Sequence, residues 1–228
     1  MKLLIWDFDG TLGYRDGMWS GTLIEIVRRT APDRVVTHEQ VRAIPKNGWP
    51  WDTPDSPHTH LTTAEQWWDA LDPFFARVFE QLGFEPPPAM RMARQVRRVF
   101  PQLACWHLFD DTIPELREFI DRGWTHALLT NHVPELPSIL NHLGLSSLID
   151  RSFNSAETGY EKPHRQAFDN VLAAYPEAEA VWMIGDNAVA DVAGAEAAGI
   201  PAILVRRADE RAARRCPDLH GVLAFVKI

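Results

Sequence analysis

The chain has 228 residues, 46% of them hydrophobic, and a formal net charge of −8, a composition typical of a soluble globular protein of one or two domains. The acidic balance argues against a nucleic-acid partner, and the lack of an apolar run of about 18 residues argues against a membrane span. Two cysteines do not make a disulfide framework, so we expect a cytoplasmic protein without a membrane partner.

A short apolar run near the start of the chain ends in two carboxylates. Residues 3–6 are apolar and lead directly into Asp7 and Asp9, and Gly10 then begins a turn. Such a run predicts a strand buried on both faces, which places both aspartates at a strand end where open α/β sheets bind ligands. Two carboxylates in one crevice repel each other unless a proton or a cation such as Mg²⁺ lies between them. On these residues alone, an acidic turn without function is the alternative.

Residues 13–105 interrupt the α/β pattern. They hold 11 basic and 11 acidic residues, whereas the rest of the chain holds 12 and 20, which indicates an insertion inside a parent domain. Residues 47–57 are rich in Pro, Gly and Asp and predict a loop, and Thr37 with Gln40 has the spacing of a capping box. Helical patterns occur at residues 22–30, 37–44, 62–82 and 90–100. We therefore predict an all-helical unit with no strand.

Helices and strands alternate from Asp110 onward. The predicted helices are 112–122, 134–143, 165–175 and 189–198, and the predicted strands are 125–129, 149–153, 180–184 and 202–205. After Arg206 we expect one more helix, and residues 222–228 fit either a strand or a helix. The alternation predicts right-handed crossovers and a Rossmann-like, doubly wound parallel sheet, that is, an α/β core with an inserted helical domain.

Polar residues follow four of the predicted strands. They are Asp7 and Asp9, Thr130 and Asn131, Lys162, and Asp186. Because the carboxyl ends of parallel strands lie at one edge of a sheet, these side chains are expected to converge. Together they supply a carboxylate nucleophile, a second carboxylate for proton transfer, and donors for phosphoryl oxygens, which is the chemistry of phosphoryl transfer to an aspartate.

The motifs resemble those of the haloacid dehalogenase (HAD) superfamily, phosphatase type. They read DFDGT at residues 7–11, LLTN at 128–131, EKP at 161–163 and GDN at 185–187, followed by Asp191. The resemblance covers the whole chain in the order and spacing of the family, and it is weak only in the insertion. It implies a core domain of residues 1–12 and 106–228 and a helical cap domain of residues 13–105.

The resemblance implies a role for each motif residue. Asp7 would be the nucleophile, and Asp9 would protonate the leaving alcohol and then activate water. A carboxylate at position 9 indicates phosphate esters, because members that cleave carbon–halogen or phosphonate bonds lack this acid. The phosphoryl oxygens would be bound by Gly10, Thr130, Asn131 and Lys162, with Thr130 and Lys162 also counted as catalytic.

The metal site is likewise implied by the resemblance. The side chains of Asp7 and Asp186 and the backbone carbonyl of Asp9 would hold Mg²⁺. Asp191 would lie behind them, orienting Lys162 or a water on the ion, although it also fits a helix-capping role. Asn187 replaces the serine of many relatives and leaves the metal ligands intact.

Other residues have simpler interpretations. His58 and His60 make a possible metal pair, but histidines in a Pro- and Asp-rich loop are expected to be solvated. His132 follows the second motif and is a candidate for lining the pocket. The arginines at 91, 94, 97 and 98 are expected to form a solvated helix face, and the aromatics of the insertion are expected to be mostly core, with one or two facing the cleft: Trp19, Trp49, Trp51, Trp67, Trp68, Phe74 and Phe75.

The leading hypothesis is a Mg²⁺-dependent phosphatase of a small phosphorylated metabolite that works through an aspartyl-phosphate. A phosphomutase acting on a sugar phosphate would use the same intermediate. A receiver-type signalling domain shares Asp, Thr, Lys and Mg²⁺ but is about half this length, and a catalytically silent binding protein is disfavoured by the intact motif set. Hinges for cap closure are expected near Gly13 and at residues 103–109. Neither the substrate nor the oligomeric state is indicated.

Overall fold

Five strands of the protein match the predicted strands in chain order, and three further strands were not predicted. In the computed structural model, which describes residues 1–44 and 52–226, they are β1 (Lys2–Trp6), β2 (Gly13–Arg15), β3 (Trp106–Leu108), β4 (Trp124–Thr130), β5 (Arg151–Asn154), β6 (Ala180–Gly185), β7 (Ala202–Val205) and β8 (Arg215–Cys216). Six of them form one sheet in the order β5-β4-β1-β6-β7-β8, and every neighbouring pair in it is parallel. The predicted fold class is confirmed.

Strand β1 lies at the centre of this sheet because both of its faces are apolar. Leu4 and Trp6 belong to one apolar cluster and Leu3 and Ile5 to another, and all four side chains are fully buried. Residues that alternate between two covered faces have no polar alternation, which is why the strand appears in the sequence as a continuous apolar run. Hydrogen bonds to β4 on one side and β6 on the other fix the register of the residues that follow β1.

Helices flank the sheet and fill the insertion. They are α1 (Met18–Thr30), α2 (His38–Ala43), α3 (Ala64–Gln81), α4 (Pro86–Ala93), α5 (Val96–Val99), α6 (Thr112–Asp121), α7 (Leu136–His142), α8 (Ser155–Thr158), α9 (Arg165–Ala174) and α10 (Gly194–Ala197). The capping box forms as predicted, since Gln40 N donates to Thr37 Oγ1 and Thr37 N donates to Gln40 Oε1. No helix of the described residues is both long and apolar enough to cross a lipid bilayer.

The prediction that residues 13–105 contain no strand is wrong. Strand β2 pairs antiparallel with β3, and its partner residues include Arg15 with Trp106. A three-residue strand is too short to show the alternating pattern by which strands are detected. Consequently, the chain leaves the core and returns to it through a two-stranded ribbon. Helices α1–α5 lie between its strands, and the assignment of residues 13–105 as a cap stays a prediction.

Two predicted helices are divided in the structure. The pattern at 90–100 belongs to α4, which begins earlier at Pro86, and to α5. Proline suits the first turn of a helix because its missing N–H needs no partner there. The pattern at 189–198 begins as a π-helical segment, Ala188–Ala193, and continues as α10. Helical periodicity alone does not separate these hydrogen-bonding patterns.

The end of the chain differs from the prediction. The described residues between Arg206 and Arg215 contain no helix, and β8 and a 3₁₀ turn at His220–Ala224 follow instead. Strand β8 depends on its pairing with the distant β7, so its two residues have no local signal. Residues 52–57 form turns in the predicted loop, whereas 47–51, with Trp49 and Trp51, and residues 227–228 lie outside the described residues.

Candidate active site

The polar residues that follow the strands converge at the carboxyl edge of the sheet. Asp7 follows β1, Thr130 ends β4, and Asp186 follows β6, which are three adjacent strands. A cavity of about 380 Å³ opens at this edge. Its lining includes most of the predicted site residues, namely Asp7, Asp9, Asn131, Lys162, Asp186 and Asp191. The predicted convergence is therefore present.

Lys162 is the central cation of the cavity. Its Nζ donates to Asp7 Oδ1 at 2.7 Å and to Asp191 Oδ1 at 2.6 Å, and all three side chains are buried. Burial alone would lower the pKa of Lys162, but the charges of Asp191 and Asp7 outweigh it and raise that pKa, so the ammonium is kept charged. Asp7 is also held by Thr11, whose hydroxyl donates to Asp7 Oδ2 at 3.2 Å.

Asn131 holds the loop that carries Lys162. Its side-chain Nδ2 donates to the carbonyl of Lys162 at 2.9 Å, and its Oδ1 accepts from the Lys162 backbone N–H at 2.7 Å. Both ends of the amide are thus engaged with one peptide segment. The geometry makes Asn131 a support for Lys162, and its binding of phosphoryl oxygens stays a prediction.

Thr130 and Gly10 lie at the same edge but are not among the residues that line the cavity. Thr130 is fully buried, and its Oγ1 has no hydrogen-bond partner within residues 1–44 and 52–226. Gly10 has φ +80°, and a Cβ at this position would lie 2.4 Å from Asp186 Oδ2. Only glycine therefore allows the turn after β1 to approach the Asp186 carboxylate so closely.

Three carboxylates form a cluster with the donor set of a hard cation. Oxygens of Asp7, Asp186 and Asp191 lie within 4.8 Å of one another. Burial and the charge of Asp7 raise the pKa of Asp186 to about 7, and burial raises that of Asp191 to about 6 against the opposing charge of Lys162. Carboxylates that lie this close together repel each other unless a cation lies between them, and oxygen ligands are those that Mg²⁺ prefers. The residues fit the ion.

The carboxylates of this cluster differ in how many of their oxygens are free to bind an ion. Both oxygens of Asp191 are engaged, Oδ1 with Lys162 and Oδ2 with the backbone N–H of Asn187 at 2.9 Å. Asp186 Oδ2 lies 2.7 Å from Nε of the largely exposed Arg207, a contact that the sequence did not reveal. Because both of its oxygens are already engaged, Asp191 is a poorer ion ligand than Asp186. The same contacts are compatible with the predicted role of Asp191 in orienting Lys162.

Asp9 also lines the cavity. Burial, followed by the charges of Asp7 and Asp186, raises its pKa well above the usual value. Its Oδ1 is 3.7 Å from Nε2 of His132. Burial lowers the pKa of His132 to about 4, so the imidazole is neutral at pH 7. Asp9 therefore retains a proton more readily than an ordinary aspartate, as a general acid requires. His132 lines the cavity, as the sequence suggested.

The insertion contributes an apolar wall to the cavity. Trp19, Pro54 and Phe100 line it, and the rings of Trp19 and Phe100 stack with centroids 3.7 Å apart and planes at 10°. Trp19 was among the aromatics considered for this position. Pro54 and Phe100 were not, because nothing in their local sequence distinguishes them from other loop and core residues.

Arg91, Arg94 and Arg98 are exposed, as expected, but the expectation of solvation is wrong for Arg97 and for His58. Arg97 is not simply solvated, since its Nη2 donates to Asp69 at 2.6 Å and to Asp72 at 2.9 Å. His58 is not solvated either; it is 8% exposed, and its Nε2 lies 2.9 Å from Oε1 of the buried Glu161. His60 is exposed, as expected.

The parallel sheet with Asp, Thr and Lys residues at its carboxyl edge is compatible with a hydrolase. A family model described as a haloacid dehalogenase-like hydrolase matches residues 1–199. The chain belongs to this family.

Two curated relatives carry more specific names. Over 138 residues the chain is 36% identical to a phosphoserine phosphatase of Thermus thermophilus, which covers 59% of the chain and 55% of the relative. Over 148 residues it is 32% identical to a ribulose-1,5-bisphosphate 5-phosphatase of Halopiger xanaduensis, which covers 64% and 62%. The chain thus spans somewhat more than half the length of these relatives.

Solved structures share the fold over the whole chain. The HAD hydrolase YfnB of Bacillus subtilis, whose structure is bound to magnesium, has a TM-score of 0.71 at 19% identity and covers 100% of this chain and 99% of its own. A structure described as a β-phosphoglucomutase of Thermotoga maritima has a TM-score of 0.72 at 17% identity, with 100% of both chains covered. At such identities the likeness shows the fold alone.

Proposed function

We propose that the chain is a Mg²⁺-dependent phosphatase that hydrolyses a phosphate monoester of a small metabolite through an aspartyl-phosphate on Asp7. The observation that carries the proposal is that the neighbouring carboxylates Asp7 and Asp9 have different surroundings. Asp7 is bound by the Lys162 ammonium at 2.7 Å, whereas burial and the charges of Asp7 and Asp186 raise the pKa of Asp9, which favours its protonated form. A nucleophile and a general acid are the two groups that this reaction needs.

The first half-reaction transfers the phosphoryl group to the enzyme. A carboxylate oxygen of Asp7 forms a bond to phosphorus as the bond from phosphorus to the ester oxygen breaks. Asp9 gives its proton to that oxygen, so the alcohol leaves as a neutral molecule. Lys162 is placed beside Asp7, where its charge stabilises the negative phosphoryl oxygens as they pass to the carboxylate.

The second half-reaction restores the enzyme. Water attacks phosphorus of the aspartyl-phosphate, and the Asp9 carboxylate accepts the proton that the water loses. The bond from phosphorus to the Asp7 oxygen breaks as the bond to water forms, so inorganic phosphate leaves and Asp7 and protonated Asp9 are regenerated. The unpartnered hydroxyl of Thr130 is a donor available to a phosphoryl oxygen, and Gly10 and Asn131 complete the proposed phosphate contacts.

Mg²⁺ would be held by the side chains of Asp7 and Asp186 and by the backbone carbonyl of Asp9, with Asp191 orienting Lys162. When bound, the ion supplies positive charge that offsets the repulsion between carboxylates and phosphate. The oxygen cluster and the raised pKa of Asp186 support this assignment, as does the magnesium in the related YfnB structure.

A small substrate is supported by the size and lining of the cavity. Its volume of about 380 Å³ is closed on one side by Trp19, Pro54 and Phe100 of the insertion, in line with a cap formed by residues 13–105. The β2–β3 ribbon lies at the predicted hinge positions. The names of the two curated relatives refer to phosphate esters of small molecules, which favours the same class here.

The experiment is hydrolysis of p-nitrophenyl phosphate by the purified chain with Mg²⁺. We expect Asp7→Asn to abolish phosphate release while circular dichroism shows an intact fold, and we expect excess EDTA to abolish the activity of the wild type. Asp33→Asn makes the same chemical change at an exposed position and should be fully active. Full activity of Asp7→Asn would refute the mechanism. One phosphate per ester consumed distinguishes a phosphatase from a phosphomutase, which returns the phosphoryl group to a sugar.

A further inference from the structure

A buried contact between two polar side chains joins the insertion to the loop of Lys162. His58 Nε2 lies 2.9 Å from Glu161 Oε1, and the two side chains are 10% and 2% exposed. Neither His58 Nδ1 nor Glu161 Oε2 has a hydrogen-bond partner within the described ranges 1–44 and 52–226. The contact between the two side chains is therefore the main polar interaction of each, and burial makes it costly to break.

Backbone contacts hold the same two segments together. The backbone N–H of His58 donates to the carbonyl of Gly159 at 2.9 Å. Gly159 has φ +77°, and a Cβ there would lie 2.6 Å from the backbone of Thr59. The segments approach so closely that only glycine fits between them. Residues 58–59 thus pack directly against residues 159–161.

Glu161 is the residue immediately before Lys162. Asn131 holds the backbone of Lys162 from the core side through two hydrogen bonds. His58 holds the preceding residue from the side of the insertion. Pro54, four residues before His58, lines the cavity that contains Lys162. The loop of Lys162 is therefore fixed between the core and a segment that also forms part of the cavity wall.

We propose that His58 is a positioning residue for the reaction, because through Glu161 it fixes the position of the Lys162 ammonium. The position of Lys162 then depends on how residues 52–61 pack against the loop that carries it. This inference rests on the proposed function, in which Lys162 binds the phosphoryl oxygens. Small displacements of a positioned group have large effects on rate, because the group must meet charge that develops at one point.

The experiment compares four variants of the full chain. His58→Ala removes the contact, His58→Gln keeps a side-chain amide that reaches Glu161, and His58→Asn keeps the amide but is too short to reach. His60→Ala alters the exposed histidine two residues away and is the matched control. The measurements are kcat and KM for p-nitrophenyl phosphate, binding of inorganic phosphate by calorimetry, and the melting temperature.

Loss of His58 is expected to lower kcat by about 10- to 100-fold, the usual effect of removing a partner that orients a functional group. Phosphate binding should weaken with it, since phosphate contacts Lys162 directly. His58→Gln should recover most of both properties, His58→Asn should resemble His58→Ala, and His60→Ala should match the wild type. If His58→Ala is not folded, the difference in kcat and phosphate binding between His58→Gln and His58→Asn tests the proposal.

Two results would overturn the inference. One is a lower melting temperature with unchanged kcat and phosphate binding, which would make the pair a purely structural contact. The other is equal behaviour of His58→Gln and His58→Asn. Because phosphate binding needs no turnover, it tests His58 even if the wild type hydrolyses no ester. Absence of hydrolysis alone counts against the proposed function, and absence of both hydrolysis and phosphate binding in the wild type overturns both proposals.

Discussion

The sheet edge and the insertion contribute to one cavity with opposite chemistry. The edge supplies charged groups that are buried and bonded to one another, with Lys162 between Asp7 and Asp191. The insertion supplies an apolar wall that includes the stacked rings of Trp19 and Phe100. Groups that stabilise developing charge must be held rigidly by many bonds, whereas a wall that selects a leaving group needs only shape. Under the proposed function, the reaction and the selection of the substrate are divided between the two regions.

The largest effect is expected at the charged edge. Lys162→Ala should lower kcat by about 10²–10³-fold, the range for loss of one preorganised electrostatic donor. It should also destabilise the fold by about 3–5 kcal/mol, because two buried carboxylates lose their cation. Steady-state kinetics and urea unfolding measure the two effects. Lys2→Ala removes a half-buried lysine at the opposite end of β1 and should leave kcat unchanged. Equal kinetics in both variants would place the chemistry elsewhere.

A smaller effect concerns the bonds that brace this edge. Arg206 binds both oxygens of Asp111, at 2.6 and 3.2 Å, and its Nε donates to the carbonyl of Thr11 at 2.8 Å. Burial acts to raise the pKa of Asp111, but the bonds from Arg206 and from the backbone of Leu219 lower it below the usual value. The pair therefore stabilises the protein above the pKa of an unfolded aspartate, and this stability is lost as the pH falls through the lower folded pKa.

Arg206→Ala should consequently lower the free energy of unfolding by about 2 kcal/mol at pH 7, and by less as the pH falls through the lowered pKa of Asp111, since the wild type then loses the ion pair. Urea unfolding across this pH range measures the difference. Arg211→Ala removes an exposed arginine paired with Asp209 and should change stability little. A deficit that is independent of pH would mean that the Arg206 contact with Thr11, rather than the ion pair, supplies the stability.

The smallest effect is expected at the apolar wall. Trp19→Phe should change KM by up to about 10-fold, and by different factors for esters with different alcohols, because it reshapes only the leaving-group side. Binding of inorganic phosphate should be unchanged. Trp182→Phe makes the same substitution in a partly buried residue of β6 outside the cavity and serves as the control. A parallel loss of phosphate binding in Trp19→Phe would show that the two regions are not separable.

The sequence predicted the sheet edge better than the wall for a physical reason. Each site residue of the edge follows an apolar strand or lies in a short motif, and parallel strands bring those ends together whatever the loops do. Asp186 and Lys162 were therefore placed correctly relative to Asp7. The wall depends on packing between helices, and Phe100 has no local feature that separates it from a core residue.

Contacts between segments that are distant in the chain could not be predicted from the sequence. The pairing of His58 with Glu161 joins residues 103 positions apart, and a histidine in a proline-rich loop has no pattern that reveals a buried partner. The contact of Arg207 with Asp186 is of the same kind. Strand β2 was missed because its three residues gain their order from β3 rather than from their own sequence.

The β2–β3 ribbon affects how the insertion of such a chain can change in evolution. Arg15 and Trp106 are paired across it, so the two ends of residues 16–105 lie side by side. Paired strands hold opposite Cα atoms within about 5 Å, a gap that inserts of many lengths and shapes can bridge. A different insertion could therefore begin and end at this ribbon while the motif residues stay where they are, and under the proposed function it would change the specificity of the reaction.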